Sequence, residues 1–188
     1  MLASELRSRG LDIVSTREPG GTPLGRRLRE AFLETEETVA PMAELLLFAA
    51  DRAQHIDLLI NPAISEGRIV LSDRYADATF AYQGAGRGFD EDVVSRIIEL
   101  ATRGLKPDLT LFFDIPVQMA VDRLNNRRNE TAKPNRMDLE TSDFYDRVRK
   151  SYLGIAEREP ERFKVIDATG SIDETYQKVL ATVDQLLG

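Results

Sequence analysis

The sequence predicts an α/β fold, a parallel β-sheet flanked by helices. Three short apolar runs, "GRIVLS", "PDLTLFFDIP" and "FKVIDATG", are nearly continuous rather than alternating, the pattern of strands buried on both faces. Amphipathic stretches with helical spacing separate them, and strands alternating with helices build a parallel sheet covered by helices. At 188 residues, of which 42% are hydrophobic, the chain is long enough for one domain with a substantial core.

Element by element, "MLASELRSRG" reads as the back half of a helix: Leu2 and Leu6 share a face up to the Gly10 stop, yet no Ser, Thr or Asp caps the run. Leu11 to Thr16 forms a first strand, and "REPGGTPLG", Arg17 to Gly25, a turn. Helices follow at about Leu24 to Glu34 and Pro41 to Ile60, and the second strand ends near Ser72. A helix around Asp77 to Gln83 gives way to a break at Gly84, Gly86 and Gly88. Val93, Val94, Ile97, Ile98 and Ala101 mark the next helix, closed by Gly104. The third strand lies within Pro107 to Pro116 and the fourth within Phe163 to Gly170, each flanked by helical patterns. Between them Asn125 to Arg136, "NNRRNETAKPNR", reads as a basic loop.

Composition excludes several chemistries. A net charge of −7 argues against gripping a nucleic acid along a broad positive face, so any phosphate site is local. The absence of cysteine removes disulfides, a thiolate nucleophile and Cys-based zinc, and one histidine leaves no multi-His metal cluster. With neither a secretory signal pattern nor a long apolar run, the expectation is a cytoplasmic protein without a membrane partner.

In a parallel α/β sheet ligands bind beyond the carboxyl ends of the strands, which points to "REPGG", "DRY", "DIP" and "DATG". Arg17-Glu18 on a glycine-rich turn would suit an anion or a metal-bound water, though an ordinary surface turn has the same composition. Asp73-Arg74 sets a carboxylate able to hold a magnesium water shell beside a guanidinium able to clamp phosphate; a structural salt bridge is the alternative. Leu45, Phe48, Arg52, His55 and Leu59 share one helix face by spacing. A purely apolar stripe would not include Arg52. Phe48 and Arg52 can stack on a flat heterocycle and donate to its carbonyl, or pack as a core ring beside a snorkelling arginine. Thr79, Tyr82 and Gln83 share another face with the mixed donors and acceptors that read a base edge, a set polar surface also provides. His55 reads as a helix hydrogen-bonding residue rather than a catalyst, since no serine sits on a nucleophile elbow. Arg127, Arg128, Lys133 and Arg136 would suit a lid closing on a polyphosphate, or a plain solvated loop.

Together, "TREPGGTPLG", "LLLFAADRAQH", "LSDRYADATFAYQG", "PDLTLFFDIP" and "VIDATGSIDE", in this order and spacing, resemble the thymidylate kinases, which move the γ-phosphoryl group of ATP to dTMP. The resemblance runs from the first residues to the last helix and implies a P-loop nucleoside monophosphate kinase-like fold. It implies one nucleotide-kinase domain over residues 1–188, with a lid-like segment at about 125–145. Phe48 would then stack on thymine, Arg52 bond a thymine carbonyl, Thr79 and Gln83 lie near the base edge, and Tyr82 sit beside the deoxyribose, disfavouring a 2′-hydroxyl. Arg74 would bind the dTMP phosphate and bridge it to the transferred group, Arg17 would help hold the monophosphate, Asp73 would stand near Mg²⁺, and Arg136 would supply lid charge to the transferring phosphoryl and touch ATP.

The sequence departs from the family pattern at Asn135, where Asp is common, and at Ala78, where Ser is common. It contains no GxxxxGK[ST] motif, so the resemblance leads us to expect a strand and phosphate-binding loop of about twenty residues ahead of Met1. The implied function is ATP–Mg²⁺-dependent phosphorylation of dTMP to dTDP by a homodimer. A kinase for another nucleotide and a noncatalytic nucleotide-binding fragment are the alternatives.

Overall fold

The computed structural model describes residues 1–130 and 135–188, with 126–130 as backbone only. The chain divides into two compact units, Met1–Lys106 and Pro107–Gly188.

In the first unit, α1 (Leu2–Ser8) begins at Met1 without a side-chain cap, as its sequence predicts. Strands β1 (Ile13–Arg17) and β2 (Ile69–Asp73) pair in parallel, from Ile13 opposite Ile69 to Arg17 opposite Asp73. This register sets the carboxyl ends of both strands side by side, and the Glu18 N–H extends the ladder to the Asp73 carbonyl at 2.9 Å. Helix α2 (Pro23–Leu33) starts where the sequence says it should, with Pro23 in its first turn and the Thr22 hydroxyl accepting from the Gly25 N–H at 3.0 Å.

The helix predicted over Pro41 to Ile60 is longer and irregular. Helix α3 (Pro41–His55) passes into a π-helical turn, Ile56–Ile60, and then into α4 (Asn61–Ser65). Pro62 supplies the reason: its ring has no N–H and pushes away the carbonyl four residues back, and a widened turn directly before it absorbs the misfit without ending the helix. The segment after β2 behaves similarly. Helix α5 (Ala76–Thr79) continues as a π-helical turn, Phe80–Gly86, so Gly84 and Gly86 lie inside the turn and the predicted break waits until Gly88, at φ +78°. A helical glycine costs only about 1 kcal/mol relative to alanine, and the segment is anchored by the buried Ala81 and by the Gln83–Glu44 hydrogen bond. Helix α6 (Glu91–Thr102) is capped by Asp90 and closed by Arg103 and Gly104, both in left-handed conformations. Leu45, Val94 and Ile98 form a core against which Ala76, Phe80, Phe89 and Ile97 pack.

In the second unit, β3 (Thr110–Asp114) and β4 (Phe163–Asp167) pair in parallel, Thr110 opposite Phe163 and Asp114 opposite Asp167. Helices α7 (Val117–Glu130), α8 (Ser142–Arg158) and α9 (Ile172–Leu187) complete it, the last opened by a reciprocal cap between Ser171 and Glu174. Phe112 stacks on Tyr152 with centroids 4.6 Å apart.

Two further sequence expectations change. Asn125 to Glu130 is helical, not loop; "NNRRNE" has no proline or glycine to stop α7, so polarity alone misled the reading. The strands are also less buried than their apolar runs suggest: β2 is half-buried along Ile69 to Ser72, and Phe113 and Val165 are 51% and 42% exposed. Among the described residues the strands form two parallel pairs, β1 with β2 and β3 with β4, one pair in each unit. Among the described residues, no helix is long and apolar enough to cross a membrane.

Candidate active site

Beyond the carboxyl ends of β1 and β2 lies a cleft of about 250 Å³, open to solvent, lined by Glu18, Phe48, Arg52, Arg74, Tyr75, Ala78, Thr79, Tyr82 and Gln83. Helix α3 contributes Phe48 and Arg52, one turn apart, and the α5 segment with its π-helical turn contributes Ala78, Thr79, Tyr82 and Gln83. With Arg74 from the turn after β2, the structure brings together six residues that the sequence nominates, Phe48, Arg52, Arg74, Thr79, Tyr82 and Gln83, from three separate segments. The Phe32 ring meets Phe48 edge-on at 4.9 Å and holds that ring in place.

Arg52 is buried, and each of its three guanidinium nitrogens makes a hydrogen bond. Its Nε donates to Glu18 Oε2 at 2.8 Å, one terminal nitrogen to the Thr79 hydroxyl at 3.0 Å and the other to the Tyr75 carbonyl at 3.2 Å. Five donors in a planar fork let a guanidinium hold these partners and still present an N–H to a ligand. Glu18 Oε1 accepts from His55 Nδ1 at 2.9 Å, and His55 Nε2 meets the Thr16 hydroxyl at 2.7 Å. A carboxylate can only accept, so Nδ1 carries a proton and the imidazole bridges the β1 end to α3. The structure thus puts His55 in a hydrogen-bonding role. Arg52 also lies 5.5 Å from the Tyr75 ring centroid. Burial, reinforced by Glu18, pushes the Tyr75 phenol well above its ordinary range, and its O–H donates to the Leu105 carbonyl.

The "REPGG" turn is pinned against α3. Glu18 turns inward, 4% exposed, and the glycines pack against α3. Gly20, at φ +112°, donates its N–H to Asp51 Oδ1 at 3.1 Å. A Cβ on Gly21 would stand 2.5 Å from His55 Nε2, closer than any real contact, so only glycine fits.

Asp51 Oδ2 is buried without a hydrogen-bond partner among the described residues. Burial raises the Asp51 carboxyl above its ordinary value, against the Gly20 hydrogen bond that lowers it. A carboxyl raised in the folded state binds its proton more tightly there than in the unfolded chain. It therefore adds stability as pH falls through its folded value, and that contribution is lost as pH rises. Asp51→Asn keeps an acceptor for Gly20 and removes the desolvated charge. The variant is expected to melt at or above the wild-type temperature at pH 7, with the gap closing on acidification. A lower midpoint at pH 7, or a gap that widens in acid, would contradict this.

Arg74 is exposed and holds φ +73°, rare for a residue other than glycine. Its guanidinium lies 4.8 Å from the Tyr82 ring centroid and donates to the Tyr82 hydroxyl at 3.4 Å. The Ser72 hydroxyl donates to the Arg74 carbonyl at 2.7 Å, which steadies the strained turn. Arg17 and Asp73 are exposed neighbours at the strand ends rather than cleft residues.

Arg136 belongs to the second unit and is half-buried at the start of a 3₁₀ turn, Arg136–Leu139. The Asn135 side chain accepts from the Met137 and Asp138 N–H groups while Asp138 accepts from the Asn135 N–H. Asn thus caps this turn as an Asp would, and the departure at this position leaves local geometry intact. Lys133 and the side chains of Arg127 and Arg128 lie outside the described residues. At the ends of β3 and β4, Asp114 takes a two-pronged bond from Arg149, at 2.6 and 2.8 Å, and Asp167 bonds Lys178 and Thr169, which hold its carboxyl well below the usual range. No cluster of three or more metal-ligating side chains occurs among the described residues.

The sequence does not single out Tyr75, Glu44 or Arg87 as site residues, and offers Glu18 only as half of the Arg17-Glu18 pair on the turn. Glu44 carried a signal: it precedes Phe48 by four and Arg52 by eight, on the same buried face of α3.

A family model described as thymidylate kinase matches residues 1–179. A thymidylate kinase of Desulfovibrio desulfuricans is 44% identical over 190 residues, covering 99% of this chain and 88% of its own length. One from Thermomicrobium roseum is 45% identical over 187 residues, covering 100% and 87%. The crystal structure of thymidylate kinase from Ehrlichia chaffeensis superposes with a TM-score of 0.77 at 29% identity, over 97% of this chain and 88% of that one. Match, identity and fold agree over nearly the whole length, and the chain belongs to the thymidylate kinase family.

Proposed function

We propose that this protein phosphorylates dTMP to dTDP with ATP, by direct in-line transfer and without a covalent enzyme intermediate. The observation that carries the reading is the convergence of Phe48, Arg52, Thr79, Tyr82, Gln83 and Arg74 on one cleft. Thymine stacks on Phe48, and Arg52 donates to a ring carbonyl. Thr79 and Gln83 face the base edge, and Tyr82 flanks the deoxyribose. Ala78 borders the cleft with a methyl where a hydroxyl would add a hydrogen bond. Arg74 clamps the dTMP phosphate at the cleft mouth, with Arg17 beside it. Arg136 brings lid charge to the transferring group. Phosphoryl transfer rests on such positioning and charge neutralisation rather than on a nucleophilic side chain.

Asp73 is exposed at a strand end with no donor on its carboxylate among the described residues, which fits Mg²⁺, an ion that takes one or two carboxylates and otherwise water and phosphate oxygens. When bound there, Mg²⁺ would neutralise charge on the phosphates.

A cytoplasmic homodimer belongs to the same reading. Met42 and Leu46, one turn apart on α3, and Leu58 beyond it are 43%, 51% and 63% exposed, an apolar row suited to a second copy. Sedimentation that finds only monomer at micromolar concentration would remove the dimer.

Calorimetry on the 188-residue chain tests the acceptor site, with dTMP expected to bind more tightly than dCMP or AMP. An ATP-dependent dTMP phosphorylation assay, run beside a chain extended by a strand and GxxxxGK[ST] loop, tests turnover. Equal binding of the three nucleotides, or no phosphorylation by either chain, would overturn the proposal.

A further inference from the structure

Behind the cleft, away from the Arg52 network, sits a second buried ionic group. Glu44 on α3 is fully buried. Arg87, which follows the π-helical turn, grips it with two prongs, Nε to Oε1 at 3.1 Å and a terminal nitrogen to Oε2 at 3.2 Å. Glu44 Oε1 also accepts from Gln83 Nε2 at 3.0 Å. Gln83 is itself 1% exposed, lines the cleft, and makes no other side-chain hydrogen bond among the described residues.

An amide side chain can present either its oxygen or its nitrogen, and the two ends are close in size. Here chemistry settles the choice. A carboxylate facing a guanidinium accepts at both oxygens, so the Gln83 oxygen cannot turn toward Glu44 without setting two acceptors against each other in a dry site. The amide nitrogen is tethered, and the Gln83 carbonyl oxygen is the polar atom left for a ligand.

We infer that Glu44, held by Arg87, is a specificity-determining positioning residue: it locks Gln83 with its carbonyl oxygen as the cleft's acceptor, so that the site selects a pyrimidine whose N3 carries a hydrogen. The inference rests on the thymine reading of the cleft. Thymine N3 donates; cytosine N3 is an acceptor and would meet the Gln83 oxygen lone pair to lone pair. An unmatched polar contact of this kind is worth about tenfold or more in affinity.

The test is the ratio of dissociation constants for dTMP and 5-methyl-dCMP, which differ only at N3 and C4, measured by calorimetry on the full chain. Glu44→Gln can donate as well as accept, so Gln83 is free to flip, and the preference for dTMP is expected to fall about tenfold. The ratio is the readout because general loosening of the cleft weakens both ligands alike. Gln83→Met is expected to lower the ratio similarly, and adding Glu44→Gln to it should change the ratio no further. Arg87→Met acts on the same tether through a half-buried side chain: it removes the guanidinium that fixes both Glu44 oxygens, so the carboxylate no longer holds the Gln83 amide in one orientation and the preference for dTMP is expected to fall. It supplies the measurement if Glu44→Gln does not fold. A wild-type chain that prefers dTMP, with the preference intact in the folded Glu44 or Arg87 variant, overturns this inference alone. So does a Glu44→Gln effect that persists without Gln83. A wild-type chain that binds neither nucleotide overturns the thymine reading, and this inference with it.

Discussion

Replacing Arg74 by alanine is expected to lower dTMP phosphorylation about a thousandfold, the scale seen when a preorganised charge on a transferring group is removed, while the melting temperature barely moves. The split follows from its position. Arg74 is exposed at the cleft mouth, where it meets Tyr82 through a long hydrogen bond and a ring-face contact; exposed substitutions of this kind usually stay within about 0.5 kcal/mol. Its left-handed backbone aims the side chain from the sharp turn after β2, and alanine at the same φ bears a similar strain. Arg74→Lys keeps the charge and loses the planar fork, so it should fall between the two. Steady-state kinetics beside thermal melts decide the matter. Turnover within tenfold of wild type in the alanine variant would remove Arg74 from the reaction.

Replacing Glu18 by alanine is expected to act in the opposite way, on folding first. Glu18 stands between Arg52 and His55, with side-chain exposures of 3%, 2% and 0%. Removing it strands a buried guanidinium, and taking one partner from such a pair costs about 3–5 kcal/mol, a large share of the roughly 5–15 kcal/mol that holds a domain together. Binding should suffer as well, because Glu18 sets the direction of the Arg52 Nε bond and hence of the whole fork. Glu18→Gln keeps the shape and one acceptor, so it should lose less stability. Urea denaturation and dTMP calorimetry on both variants measure the two effects. A Glu18→Ala midpoint close to wild type would show that the network is not what orders this side of the cleft.

These two residues also mark where sequence reading succeeds and stops. Arg74 was legible because it follows an apolar strand directly, and in a parallel sheet that position faces the ligand side. Phe48 and Arg52 were legible from their spacing on one helix. Glu18 was visible as part of "REPGG", yet nothing local says that it points inward. Its partners lie on α3, more than thirty residues on, and only packing brings them together. The basic segment after Asn125 shows the converse error: polarity suggested a loop where a stretch without proline or glycine carries α7 to Glu130.

By itself the sequence determined the α/β class, the strand positions, the strand-end residues and the family resemblance, because these depend on local spacing and on short motifs read in order. Tertiary structure alone decided the inward turn of Glu18, the clamp of Arg87 on Glu44, the tether on Gln83, and the π-helical turn that carries Gln83 into the cleft. Each depends on which buried donor finds which acceptor. A polar group cut off from water must take the partner that packing supplies, and periodicity along one chain segment does not say what stands across the gap.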